Sequence, residues 1–231
     1  MCNASEEHRC NTCTGRHRQF SCQFLLYSDQ QTVEISGNSN GLLLAESMAS
    51  VQLYCRKSAK VNQIAQIFRQ NSVPNDNRIH LSFQPFILDC CENFDEKEQI
   101  FQRVQVFLKE LHIKNRKIIL ITNNLKACNL SRIPRALVPK VRIQNANLDR
   151  INSTIKWITN KVESEGVDIR VRRDRRNRIM TRSYQSITAI HLEDLNMLEE
   201  NDYCRDNGAH LARSGYEKVN TFVQTILQEN N

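Results

Sequence analysis

The chain has 231 residues, 40% of them hydrophobic and 25% charged, and a formal charge of +7. That length and balance suit one globular domain with a sizeable core and exclude a disordered polyelectrolyte; no apolar run reaches the roughly 20 residues that span a membrane. Nine cysteines, with Cys55, Cys90, Cys91 and Cys128 in or beside apolar runs, argue for thiols rather than a disulfide framework.

Residues 1–20 are polar and read as a flexible leader to one folded domain over 21–231. The opening Met1–Cys10 lacks the apolar centre of a signal peptide, so the expected setting is cytoplasmic. Cys10, Cys13, His17 and Cys22 carry zinc-type ligands, but their spacing falls one residue short of a zinc knuckle, and the expectation is a leader without metal or other cofactor.

Phe24–Tyr27 reads as a short buried strand and Leu42–Met48 as a helix. Val51–Cys55 suits a second strand, and Val61, Ile64, Ala65 and Phe68 fall on one face of a helix. Asn71–Asn77 is a turn cluster, after which Pro85–Cys91 reads as a third strand with its proline where no ladder donor is lost. Ile100, Phe101, Val104, Leu108 and Leu111 make the clearest amphipathic helix, followed by the continuous apolar strand Lys117–Thr122, of the kind covered on both faces. Leu148, Ile151, Ile155, Ile158 and Val162 mark another helix, which Gly166 stops; Val167–Val171 reads as a fifth strand, and Tyr216, Val219, Val223 and Ile226 mark the last helix. Strands alternating with helices predict a three-layer α/β sandwich with a central parallel sheet and right-handed crossovers.

The charge is concentrated. Arg170, Arg172, Arg173, Arg175, Arg176, Arg178 and Arg182 stand against one acid, Asp174, so this segment carries +6 and the rest of the chain +1. Guanidinium forks suit phosphates and base edges, and Tyr184 is placed to stack on an unpaired base. The expected partner is single-stranded RNA, with Arg56, Lys57 and Lys60 after the second strand and Arg205 and Arg213 near the C-terminus extending the basic surface across the cleft. A solvated charged loop and an acidic protein partner are the competing readings.

The tail Asp206-Asn-Gly-Ala-His210-Leu-Ala-Arg-Ser-Gly-Tyr216 resembles the closing block of the SGNH (GDSL-type) hydrolases, Asp-Gly-x-His-Leu-x-x-x-Gly-Tyr, whose Asp and His belong to a Ser-His-Asp triad. Here Asn207 stands in the acid's place, and an asparagine cannot stabilise an imidazolium. The resemblance puts a serine nucleophile directly after the first strand. One alignment, through Tyr27-Ser28-Asp29-Gln30, gives Gln30 at that position; a rival, through Gly37-Asn38-Ser39-Asn40, keeps a serine but leaves little chain for a helix before Val51. The family's two further oxyanion donors come from a Gly after strand two and the Asn of a Gly-x-Asn-Asp block after strand three. The chain offers Cys55–Ala59 without glycine, and Asp89–Asn93 with only Asn93.

With Gln30, Asn207 and His210 as degenerate triad positions, the expectation is an inactive hydrolase, His210 being a structural histidine at the start of the last helix. The alternative is a working esterase or lipid hydrolase using Ser39 or Ser28 with His210 and Asp206, the nearest acid. A lost triad together with basic loops resembles the OSK-domain family of insect germ-plasm proteins. That resemblance implies binding of germ-plasm messenger RNA and a part in polar-granule assembly at the oocyte posterior, germ-granule proteins being bound through other regions of a longer protein, with no membrane partner.

Overall fold

The computed structural model describes residues 7–9, 16–18, 33–48, 51–72, 78–114, 116–167, 170–171, 180–181, 187–204 and 208–229. Five short strands built from apolar and hydrogen-bonded positions form the central sheet: β1 (Val33–Gly37), β2 (Val51–Cys55), β3 (Ile79–Phe83), β4 (Lys117–Thr122) and β5 (Thr188–His191). All neighbours are parallel, in the order β2-β1-β3-β4-β5, with Ile35 beside both Leu53 and Leu81.

Parallel strands need crossovers, and the helices supply them: α1 (Ser39–Ala45), α2 (Val61–Asn71), α3 (Ile87–Asn93), α4 (Lys97–Ile113), α5 (Val138–Ala146), α6 (Leu148–Glu165) and the final α7 (Arg213–Glu229). Ile35, Leu81, Phe83 and Ile121 pack under α1 and α7 through Leu44, Val219 and Val223. Tyr54, Leu120 and Ala189 pack on the opposite face against α2, α3, α4 and α6, through Phe68, Cys90, Val104 and Ile155. The α/β three-layer sandwich is the architecture the alternation predicts. Among the described residues no helix is long and apolar enough to cross a membrane.

The expected helices over 61–68, 100–111, 148–162 and 216–226 form, that over 42–48 forms earlier, as Ser39–Ala45, and Gly166, at φ 59°, ends α6. Two strands differ. Pro85–Cys91 is not a strand: Ile87–Asn93 is helical, because a short apolar run lacks the period that separates strand from helix, and Asp89 turns inward to accept the Val61 amide at 3.0 Å. The third strand is Ile79–Phe83, buried at every position although His80 and Ser82 are polar. Val167–Val171 does not join the sheet either. Arg170–Val171 pairs antiparallel with Met180–Thr181 as a separate hairpin, and the fifth strand is the four-residue Thr188–His191. Within the leader, Glu7–Arg9 pairs antiparallel with Arg16–Arg18. Phe24–Tyr27, Cys10, Cys13 and Cys22 lie outside the described residues.

A polar network accounts for the buried face of β3. Glu34 receives two guanidinium bonds from Arg116, at 2.7 and 2.9 Å, and lies 3.0 Å from Nδ1 of His80, whose Nε2 is 2.8 Å from Ser36 Oγ. Ser36 in turn reaches Ser82 at 3.1 Å, and the Tyr54 hydroxyl donates to Glu34 at 3.2 Å. Ser36, His80 and Glu34 reproduce the spacing of a hydrolytic triad, yet all are fully buried and no substrate reaches them. Burial pushes the Glu34 carboxyl upward, but the bonds from His80 and Arg116 outweigh it and hold the group at about 2. Burial likewise pushes His80 below its ordinary value, against the pull of Glu34.

Candidate active site

In an open parallel sheet, crevices form at the carboxyl ends of the strands where the strand order reverses. Here that place is between β1 and β3. The chain leaves β1 through Gly37-Asn38-Ser39 and turns directly into α1. Gly37 is needed because a Cβ there would stand 2.5 Å from the Phe83 carbonyl of the adjacent strand. Asn38 caps the helix: its Oδ1 accepts the Asn40 amide at 2.9 Å, while its Nδ2 donates to the Gln84 carbonyl at 3.1 Å.

That turn presents Ser39 Oγ 2.9 Å from Nε2 of His210, both side chains half-buried and open to solvent on one side. The rival alignment is therefore the one that brings a serine to His210, and a seven-residue α1 fits before Val51 because the chain folds back at once, Ser47 and Met48 bonding to Leu44 and Ala45. Gln30, Ser28 and Asn207 lie outside the described residues.

Several bonds fix the segment that carries His210. Asn40 Nδ2 donates to the Ala209 carbonyl at 2.8 Å and to Gln84 Oε1, and Asn40 Oδ1 accepts the Tyr216 hydroxyl at 2.9 Å. The Leu211 amide donates to the same tyrosine oxygen at 3.4 Å. On the other side the Cys204 amide donates to the His210 carbonyl at 3.0 Å, and the Lys126 amide to the Gly208 carbonyl at 3.0 Å. Glu193 holds this flank together, accepting the Asn124 amide at 2.8 Å and the Tyr203 hydroxyl at 2.5 Å. Sequence reading gave Asn40, Gln84 and Tyr216 no role at the site, although two asparagines flanking a serine and the tyrosine of the closing block were available signals.

The oxyanion side is sparse. Ser58, at φ 56°, takes the left-handed turn after β2 where glycine is the ordinary occupant. After β3 the loop is Gln84-Pro85-Phe86, with Gln84 at φ 49° and Phe86 buried in the core. Asn93, the expected donor, sits at the end of α3 instead, a consequence of that segment being helix. Gln84 has a fully buried side chain whose Nε2 has no partner among the described residues. The first amides of a helix have no intrahelical acceptor, so the Ser39 amide is the donor nearest the nucleophile.

The basic candidates divide between the two ends of the sheet. Arg56 and Lys57 are exposed after β2, and the Arg56 amide bonds to the Gly37 carbonyl at 3.3 Å, beside the serine turn. Lys60 is paired with Glu92 at 2.6 Å and Arg213 with Glu217 at 2.8 Å. The arginine hairpin is different. Its ends join α6 to the start of β5, so it is rooted at the amino ends of the strands, opposite Ser39 and His210. Arg172, Arg173, Arg175, Arg176, Arg178, Arg182, Tyr184 and Arg205 lie outside the described residues.

No family model and no curated protein matches the sequence. Solved structures do match. A GDSL-like lipase from Bacteroides thetaiotaomicron superposes with a TM-score of 0.57 at 13% identity, over 87% of this chain and 89% of the lipase. A member of the lipolytic G-D-S-L family from Veillonella parvula gives 0.53 at 9% identity, over 85% and 98%. The fold is that of the SGNH (GDSL) hydrolases.

Proposed function

We propose that this domain is a serine acyl hydrolase of reduced power, with Ser39 as nucleophile and His210 as general base. The observation that carries the reading is the 2.9 Å contact between Ser39 Oγ and His210 Nε2, at the strand-end crevice of a fold built for such a pair. Nε2 takes the Ser39 proton as Oγ attacks the ester carbonyl. The tetrahedral intermediate collapses to an acyl-Ser39 ester, and the leaving alcohol or thiol departs with that proton. Water, deprotonated by the same nitrogen, then releases the acid and regenerates the serine.

Two features reduce the rate. Asn207 stands where the resemblance expects the triad carboxylate, and replacing that acid by asparagine costs about 10⁴ in turnover in serine proteases. Each missing oxyanion donor costs a further factor of about 10² to 10³. Covalent capture is therefore a better test than turnover. A fluorophosphonate probe should label the purified chain at Ser39, and the label should vanish in Ser39→Ala and fall sharply in His210→Gln. Absence of labelling in the parent chain would leave the fold as a scaffold only.

The seven arginines over 170–182 favour a second reading. In it the domain is an inactive SGNH-like scaffold that binds single-stranded RNA. The OSK-domain resemblance extends this to germ-plasm messenger RNA and cytoplasmic granules. Titration against a labelled unstructured RNA at several salt concentrations tests it: affinity should fall linearly with log salt and collapse when Arg172, Arg173, Arg175 and Arg176 become Glu.

A further inference from the structure

Both asparagines beside the nucleophile are held by one residue of the neighbouring strand end. Gln84, directly after β3, accepts Asn38 Nδ2 on its backbone carbonyl at 3.1 Å and Asn40 Nδ2 on its side-chain Oε1. Its own amide donates to the Ile121 carbonyl of β4 at 2.9 Å, and its carbonyl also accepts the Ile87 amide, the first of α3, at 3.4 Å. A single residue thus ties the serine turn to β4 and to α3.

The orientation of Asn40 depends on that grip. A side-chain amide carries two donor hydrogens on its nitrogen and acceptor sites on its oxygen. Asn40 Nδ2 donates to Gln84 Oε1 and to the Ala209 carbonyl, and its Oδ1 accepts the Tyr216 hydroxyl. With two acceptors on one side and a donor on the other, only one setting of the amide satisfies all three partners. Removing Gln84 Oε1 leaves the Ala209 carbonyl alone to hold the nitrogen, one residue before the base.

Gln84 makes these contacts in a costly conformation. Its φ of 49° is left-handed, which strains a residue with a Cβ, and Pro85 follows it, a neighbour that favours extended backbone. The side chain is 1% exposed, and its Nε2 is buried without a partner among the described residues. Two such costs on one residue persist only where the surroundings over-determine them, and they cluster at functional sites. The buried Nε2 does not face the crevice, so it is no oxyanion donor; the contribution of Gln84 passes through its neighbours.

We infer that Gln84 is a positioning residue for the Ser39–His210 pair, fixing the nucleophile turn through Asn38 and the backbone before the base through Asn40. The inference rests on the hydrolase reading and adds the residue that sets its geometry.

The test times fluorophosphonate labelling of Ser39 in the purified chain, in Gln84→Met and in Gln84→Glu. Methionine keeps the volume but removes both the acceptor for Asn40 and the unpaired amide; glutamate keeps an acceptor oxygen at the same reach. Gln84→Met should label about tenfold or more slower, the scale on which a misplacement of about 1 Å is felt, with a melting temperature equal to or above that of the parent. Gln84→Glu should recover most of the lost rate. A residue that only filled the core would lower rate and melting temperature together, and glutamate would not rescue it. Labelling of Gln84→Met at the parent rate, slower labelling with a lower melting temperature, or no recovery in Gln84→Glu overturns the inference.

If the parent itself is not labelled, the hydrolase reading fails, and the nitrogen NMR signal of His210 Nε2 decides the positioning role separately. The parent signal should differ from that of Ser39→Ala, because the serine hydroxyl lies 2.9 Å from this nitrogen, and in Gln84→Met it should move to the Ser39→Ala position. A signal unmoved by Gln84→Met, or already unchanged by Ser39→Ala, removes the role whatever the labelling shows.

Discussion

Asn40 donates through Nδ2 to the carbonyl oxygen of Ala209 at 2.8 Å, joining the residue after the nucleophile to the residue before the base. The same amide group accepts the Tyr216 hydroxyl, which in turn receives the Leu211 amide on the other side of His210. The histidine is thus bracketed from the turn that carries the serine, and the 2.9 Å contact is a consequence of that bracket. Asn40→Ala should therefore slow fluorophosphonate labelling of Ser39 by about 10- to 100-fold, the scale on which a misplacement of about 1 Å is felt. Tyr216→Phe keeps the ring packed on Phe83 and removes only the hydroxyl, so it should slow labelling less. Equal labelling rates in parent and Asn40→Ala would show that the bracket does not position the base.

Gly208 gives a second, harsher probe of the same segment. A Cβ at this position would stand 1.6 Å from the Lys126 carbonyl oxygen, a backbone atom that cannot swing aside. Gly208→Ala must separate the two loops, and His210 moves with them. The expected result is loss of labelling with far-ultraviolet circular dichroism unchanged, since neither loop contributes to the sheet.

How much of this was legible in the sequence follows from what each residue contacts. Lys117–Thr122 and the helices with clean 3.6-residue spacing declare themselves because burial is continuous along them. Ile79–Phe83 does not, because His80 and Ser82 read as solvent-facing until Glu34, Ser36 and Arg116, which are distant in sequence, absorb them. The histidine of the site was visible in its Gly-x-His-Leu setting. Its serine was harder, since Gly37-Asn38-Ser39 lacks the acidic residue of the family pattern, and its meeting with His210 exists only in space.

Restoring a carboxylate tests whether the chemistry is weakened or absent. Asn207→Asp supplies the acid three residues before His210, where the resemblance expects it. If Ser39 and His210 form a working pair, hydrolysis of p-nitrophenyl octanoate should rise by about 10² or more, within the factor of about 10⁴ that separates aspartate from asparagine in a serine protease. The gain should disappear when Ser39→Ala is added. No gain at all would mean that His210 is not oriented from this position.

The buried Glu34–Arg116–His80 network makes a prediction about stability rather than catalysis. Glu34→Gln removes one partner of a fully desolvated ion pair and strands the Arg116 guanidinium, which costs about 3–5 kcal/mol. Replacing both charges, as in Glu34→Leu with Arg116→Met, should cost less than the single change, because no charge is left unpaired. The pH dependence has a definite sign. Glu34 is held at about 2 in the folded state, below an unfolded carboxyl near 4.3, so its contribution is complete above that value and is lost as pH falls toward 2. His80 is also held below its unfolded value of about 6.5, so its neutral form favours the fold at higher pH, and that contribution declines as pH drops. Both groups therefore act in one direction: denaturant midpoints should decline from about pH 6.5 downward and fall most steeply below about pH 4. In Glu34→Gln the midpoint should already be low at pH 7, and the steep decline below pH 4 should be reduced. Parallel parent and variant curves across that range would remove Glu34 as the titrating group.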